Sequence, residues 1–255
     1  MKWSNTKAIV TGGASGLGLA VVERIIAKGG KAAIFDSDIG KAEDKAFSLG
    51  DGVIALQVDV TSERSVADAV KEAKGYMGHL NLLVNCAGIS QNQKVISSTR
   101  VMSLRDFERT ISVNLIGSFI VCREVGASMR DNMAGVDEER GLIINTASIA
   151  AFEGQIGQVA YSASKGAIAS MTLPLARELA GYNIRVMCIA PGVFDTSIMG
   201  DEAEEVRMSI TNDSLYPHRM GEPEEFAALV QHILENSMLN GSVIRLDGGL
   251  RMPAM

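Results

Sequence analysis

Three residues of this chain have the types and spacing to move a proton: Ser148, Tyr161 and Lys165. They fall in one stretch, A-S-I-A-A-F-E-G-Q-I-G-Q-V-A-Y-S-A-S-K, from Ala147 to Lys165. Tyr161 and Lys165 stand at i and i+4, so a helix would present both on one face. A tyrosine hydroxyl, with an ordinary pKa of about 10, is a poor base at neutral pH. An ammonium held close to it favours the phenolate. Ser148 precedes the helix and could donate a hydrogen bond to the same substrate oxygen. Together the three groups could pass a proton to or from an alcohol or a carbonyl. The spacing alone also suits an ordinary amphipathic helix, so its meaning depends on the elements around it.

Those elements begin with Lys7 to Thr11, which reads as a short buried strand. G-G-A-S-G-L-G follows, then L-A-V-V-E-R-I-I-A-K, apolar at helical spacing. The turn carries Gly12, Gly16 and Gly18, with Ser15 and Leu17 between them. Glycines there let the backbone approach a pyrophosphate, and the helix start supplies free N–H groups and a positive dipole end. Ala32 to Phe35 is a second strand that ends at Asp36. An acid at this place can accept hydrogen bonds from the ribose hydroxyls of NAD and repels the 2′-phosphate of NADP. Alternatively, Asp36 and Asp38 precede a helical stretch and could cap it. Ile39 to Leu49 reads as a helix, Val53 to Val58 as a strand, and Glu63 to Met77 as an amphipathic helix begun by T-S-E-R. Asp59, followed by Val60, could bond an adenine amine or simply cap. Leu80 to Val84 is a buried strand running into N-C-A-G, Asn85 to Gly88, where small residues such as Ala87 let a flat cofactor approach the sheet edge.

Ser90 to Ser103 is a long polar loop with Lys94 and Arg100. Leu104 to Met133 reads as a long helix, or a helix with a bend. It carries Asn114 in an apolar stretch, where a buried amide must find partners. Leu142 to Thr146 is the strand that delivers Ser148. The Tyr161 helix runs to about Ala180, and Pro174 should bend or break it. Ile184 to Ala190 is a sixth strand. Pro191 and Gly192 then force a turn into Val193, Phe194, Asp195 and Thr196. Residues 197–220 read as a mobile lid, Glu224 to Glu235 as a helix and Ser242 to Leu246 as a last strand. This alternation implies an α/β chain: a Rossmann-type doubly wound parallel sheet of about seven strands, helices on both faces, in a single domain. The residues singled out fall at the C-terminal strand ends, where ligands bind in such sheets.

Composition narrows the classes. The 255 residues are 47% hydrophobic and 21% charged, as a globular domain of this length would be. A net charge of −6 argues against nucleic acid as a partner. No apolar run approaches a membrane span of about 18 residues. M-K-W-S-N-T-K enters a strand at once and is too short and polar for a targeting peptide, so a cytoplasmic location is expected. Cys86, Cys122 and Cys188 form no C-x-x-C pair, and His79, His218 and His232 show no ligand spacing, so neither a disulfide framework nor a metal is expected.

Asn114, Ser148, Tyr161 and Lys165, with T-G-G-A-S-G-L-G, N-C-A-G and P-G in this order, resemble the short-chain dehydrogenase/reductase family over Lys7 to Gly249. The resemblance implies an NAD-dependent oxidoreductase in which Tyr161 is the general base, Lys165 holds the ribose hydroxyls and lowers the tyrosine pKa, and Ser148 fixes the substrate oxygen. It implies that Asn114 supports a proton relay through water to Lys165. It also implies NAD contacts from Gly12 and Ser15 to Gly18, from Asp36, Asp59, Val60, Asn85, Ala87 and Gly88, from Tyr161 and Lys165, and from Pro191, Gly192, Val193, Phe194 and Thr196. Gln155 and Gln158 either line the substrate pocket or are loop residues. G-L-I-I-N-T-A-S, M-T-L-P-L-A-R-E-L and I-R-V-M-C-I-A-P-G are similar to segments of members that convert (S)-3-hydroxyacyl-CoA to 3-oxoacyl-CoA. Hydroxysteroids or other secondary alcohols are the alternative substrates, and a nucleotide-binding sensor or structural subunit is the non-enzymatic alternative. A homotetramer built on the two long helices and the C-terminal strand is implied as well.

Overall fold

Short aliphatic and β-branched runs, each followed by a turn and an amphipathic stretch, give parallel strands joined by helices. The computed structural model describes residues 1–196 and 214–254. Its strands are β1 (Lys7–Thr11), β2 (Lys31–Asp36), β3 (Val53–Gln57), β4 (Leu82–Asn85), β5 (Gly141–Thr146), β6 (Ile184–Pro191) and β7 (Val243–Leu246). They form one sheet in the order β3-β2-β1-β4-β5-β6-β7, parallel at every pairing. The connecting helices are α1 (Gly16–Ala27), α2 (Ile39–Leu49), α3 (Glu63–Met77), α4 (Leu104–Ile111), α5 (Ser118–Arg130), α6 (Ala150–Glu153), α7 (Val159–Ala180) and α8 (Pro223–Glu235).

Successive strand residues point to opposite faces, and helices cover both. On one face Val10, Ile34, Val84 and Ile144 pack with Val22 and Ile25 of α1 and with Phe226 and Val230 of α8. On the other, Ile9, Phe35, Leu83 and Ile143 pack with Val66 and Val70 of α3 and with Val121 and Val125 of α5. Each large side chain buried in this way contributes about 1.5–3 kcal/mol. The strand order reverses between β1 and β4, so their C-terminal ends splay around a crevice.

Side-chain caps mark the starts of α2, α3 and α4, whereas α1, α6 and α7 have none. Asp38 caps α2 by accepting from Lys41 N at 3.2 Å, Ser62 caps α3 by accepting from Ser65 N at 3.3 Å, and Ser103 caps α4 by accepting from Asp106 N at 3.1 Å. Ser15 precedes α1 in extended backbone and its side chain caps nothing. The first N–H groups of α1 therefore open toward the crevice.

The long helix expected from Leu104 is divided. α4 passes through a π-helical segment, Ser112–Gly117, into α5, which ends at Arg130. Asn114 sits inside that segment, and the Ser118 hydroxyl donates to its carbonyl at 2.7 Å. By length and composition the 104–130 run could cross a membrane, which corrects the expectation that no run comes near that limit. It serves instead as a core helix, with Val121, Val125 and Met129 buried in the domain. Pro174 does not break α7, which is continuous from Val159 to Ala180. Up to residue 213 the lid expected over 197–220 lies outside the described residues.

Candidate active site

A cleft of about 350 Å³ opens at the strand reversal, lined by Gly12, Ser15, Gly16, Leu17 and Gly18. Asp36, Asp59, Val60, Ala87, Gly88 and Thr196 complete the part of its lining expected from the sequence. The glycine turn cannot carry side chains. Gly12 has φ +63°, and a Cβ on Gly18 would stand 2.3 Å from the Gly12 carbonyl oxygen. Turn and strand end are locked together, because Asp36 Oδ2 accepts from Ala14 N at 3.2 Å and Oδ1 from Asp38 N at 3.1 Å. Asp38 caps α2, so Asp36 is not the cap. Asp59 closes a local turn by accepting from Thr61 N and Thr61 Oγ1 at 2.9 and 2.7 Å, and Ser62 caps α3.

Asn114, Ser148, Tyr161 and Lys165 are not among the residues lining this cleft, but Asn114 and Lys165 stand behind its Gly88, where a Cβ would lie 3.3 Å from Asn114 Oδ1 and 3.6 Å from Lys165 Nζ. Lys165 is 5% exposed, and its Nζ donates to the Thr146 carbonyl at 2.7 Å. Nζ also lies 5.8 Å from the centroid of the Tyr161 ring, as the i, i+4 spacing requires. No carboxylate pairs with Lys165 among the described residues. Ser148 lies two residues beyond β5, and its Oγ accepts from Ala150 N at 3.1 Å. Its hydrogen remains available to donate. Asn114 is wholly buried, and its amide is fully engaged by Ile89 and Ser164. Its side chain therefore acts on protein groups.

Several residues expected at the cofactor or substrate do not line this cleft. The Asn85 side chain joins strands, accepting from Thr11 Oγ1 at 3.3 Å and donating to Asn145 Oδ1 at 2.9 Å. Pro191 is the last residue of β6, and a Cβ on Gly192 would meet Asp247. Val193 and Phe194 border a separate cavity of about 250 Å³, and Phe194 belongs to the apolar core. The carbonyl of the Gln158 side chain accepts from Gln155 N at 3.0 Å, which closes their own loop. That loop is tied on both sides, by Gln93 N to the Gly157 carbonyl at 2.8 Å and by Ile156 N to the Ala254 carbonyl at 3.0 Å.

Phe35, Ser37, Val58, Cys86, Ile89, Arg109 and Val113 also line the cleft and were missed from the sequence. Arg109 and Val113 stand four apart just before Asn114, a spacing that could have suggested a shared face. Burial pushes the Cys86 and Cys188 thiols up to about 11 and the Cys122 thiol to about 12. All three stay protonated near neutrality. No cluster of metal-ligating side chains occurs among the described residues.

A parallel sheet with a glycine turn and an open helix start at its reversal point defines a dinucleotide-binding α/β protein. The sequence pattern of the family described as short chain dehydrogenase matches residues 6–207, and the chain belongs to that family. It is 49% identical over 247 residues to the 3-hydroxyacyl-CoA dehydrogenase type-2 of Bos taurus, covering 96% of this chain and 95% of the relative. Among solved structures it is similar to the 3-hydroxyacyl-CoA dehydrogenase type-2 from Mycobacterium avium, with a TM-score of 0.92 and 37% identity over 97% of this chain and 96% of that one. It is also similar to the 3-ketoacyl-(acyl-carrier-protein) reductase from Brucella melitensis complexed with NADH. There the TM-score is 0.83, with 30% identity over 95% of this chain and 96% of that one.

Proposed function

We propose that this chain is an NAD-dependent dehydrogenase of secondary alcohols that converts (S)-3-hydroxyacyl-CoA to 3-oxoacyl-CoA. The observation that carries the dehydrogenase reading is the buried Lys165 ammonium, on the Tyr161 face of α7 and without a carboxylate partner among the described residues. A buried unpaired charge is costly, and such groups concentrate where chemistry is done. Substrate class rests on the relative at 49% identity, whose name specifies 3-hydroxyacyl-CoA.

The residues present fit a nicotinamide dinucleotide. The open start of α1 suits a pyrophosphate, the Asp36 carboxylate suits ribose hydroxyls and excludes a 2′-phosphate, and Val60 and Val113 offer apolar walls for adenine. Lys165 has two N–H groups beyond the one given to Thr146 with which to hold the second ribose. When bound, the nicotinamide supplies the acceptor for hydride. Tyr161 takes the proton of the substrate hydroxyl. The Lys165 ammonium stabilises the negative charge that Tyr161 carries before that transfer. Ser148 donates its free hydrogen to the substrate oxygen and holds it in line with Tyr161. A homotetramer is part of the same reading, supported by the exposed apolar residues Ile116 and Phe119 around the start of α5 and Leu173 on α7.

Tyr161→Phe tests the mechanism. It should lower kcat by about 10²–10⁴-fold, the contribution of a positioned proton-transfer group, while NADH still binds. Turnover close to that of the unmodified enzyme would remove Tyr161 from the reaction.

A further inference from the structure

Ser164, one residue before Lys165, is wholly buried and its hydroxyl is used in both senses. It donates to the Tyr161 carbonyl at 2.7 Å and accepts from Asn114 Nδ2 at 3.0 Å. The other Nδ2 hydrogen goes to the Ile89 carbonyl at 2.9 Å, and Asn114 Oδ1 accepts from Ile89 N at 2.8 Å. These bonds admit one arrangement. The Ser164 hydrogen is committed to Tyr161, so its oxygen can only accept. The Asn114 amide must then turn its nitrogen to α7 and its oxygen to Ile89. Asn114 in this orientation holds the Gly88–Ile89 wall of the cleft. Gly88 fills the space between Asn114 and Lys165: a Cβ there would lie 3.3 Å from Asn114 Oδ1 and 3.6 Å from Lys165 Nζ. On another side Lys165 is held by the Thr146 carbonyl.

We infer that Ser164 is a positioning residue: acting through Asn114, it sets the register of the Gly88–Ile89 wall against Tyr161 and Lys165. A small helix residue that only needed to satisfy its own hydroxyl would do so through the Tyr161 carbonyl alone. The bond to Asn114 instead links two elements fifty residues apart in sequence. Losing it leaves a buried Asn114 N–H without an acceptor and releases the amide to turn.

The inference rests on the proposed dehydrogenase activity, and the two can fail separately. If the unmodified protein turns over no 3-oxoacyl-CoA or ketone with NADH, the activity itself is wrong. With an active enzyme, the experiment is to measure kcat, KM, the pH profile of kcat and the NADH dissociation constant for Ser164→Ala and Ser164→Thr. Ser164→Ala should lower kcat about tenfold to a hundredfold, as a small misplacement of catalytic groups does, and displace its pH profile, with NADH affinity changed less than about threefold. Ser164→Thr, which keeps the hydroxyl, should recover most of the loss. On an Asn114→Ala background Ser164→Ala should add little further loss, because the two act through one bond. A Ser164→Ala enzyme with kcat and pH profile within about twofold of the original overturns the inference, as do equal losses in Ala and Thr variants or full additivity with Asn114→Ala. Should Ser164→Ala not fold, Ser164→Cys, of similar size and a poor hydrogen-bonding group, takes its place under the same criteria.

Discussion

The Asp36 carboxylate ends β2 in the cleft, accepting from the backbone of the glycine turn and from Asp38 N, while Asp38 itself caps α2. Which of two neighbouring aspartates caps and which faces the ligand depends on where the strand ends, and spacing alone left both readings open. Asp36→Ala should shift the kcat/KM preference for NADH over NADPH by at least about tenfold, equivalent to ~1.4 kcal/mol. An unchanged preference, measured with both cofactors on one substrate, would show that Asp36 does not select. The thiols make a second test. With Cys86, Cys122 and Cys188 pushed up to about 11, 12 and 11 by burial, the native protein should label slowly with a thiol reagent at about pH 8 and quickly once unfolded. Prompt labelling of Cys122 or Cys188 in the native protein would contradict their burial, whereas Cys86, part-exposed in the cleft, is no test of it. The shared helix face of Tyr161 and Lys165 was legible because their spacing is local. Ser164 was not, because its partner Asn114 is remote and a small residue in a helix looks like packing.

The open start of α1 and the side-chain-free turn before it form one device. Gly18→Ala would bring a Cβ within 2.3 Å of the Gly12 carbonyl oxygen, so turn and helix must separate. The expected result is a stability loss of about 1–3 kcal/mol by thermal unfolding and weakened NADH binding. A variant with unaltered unfolding and NADH titration would contradict the packing described for the turn. The bounds of α2 and α3 could be read because capping residues mark their starts and glycines follow their ends. The π-helical segment could not, because a change in backbone hydrogen-bond register leaves the pattern of apolar residues almost unaltered. Nor could the fate of Pro174, whose missing N–H is tolerated within a helix packed against β6. The direction of the Phe194 side chain was not legible either, because an aromatic residue just past a strand end can face the cleft or the core, and here the side chain joins the core.

At the scale of the whole molecule, the sheet order places every strand end of interest on one edge, so the glycine turn, Asp36, Gly88 and Ser148 converge without a second domain. The alternation of strands and helices made this legible. Assembly is less so, because an exposed apolar face is only complete in the presence of its partner. Sedimentation at micromolar concentration should show a tetramer, and charged replacements of Ile116 and Phe119 together should dissociate it. A monomer from the unmodified chain would contradict the proposed assembly. The most direct test of the central claim is the rate at which acetoacetyl-CoA oxidises NADH and, separately, NADPH, followed by absorbance. Rapid turnover with NADH and little with NADPH is the predicted result. Binding of NADH without turnover of acetoacetyl-CoA would contradict the thioester substrate.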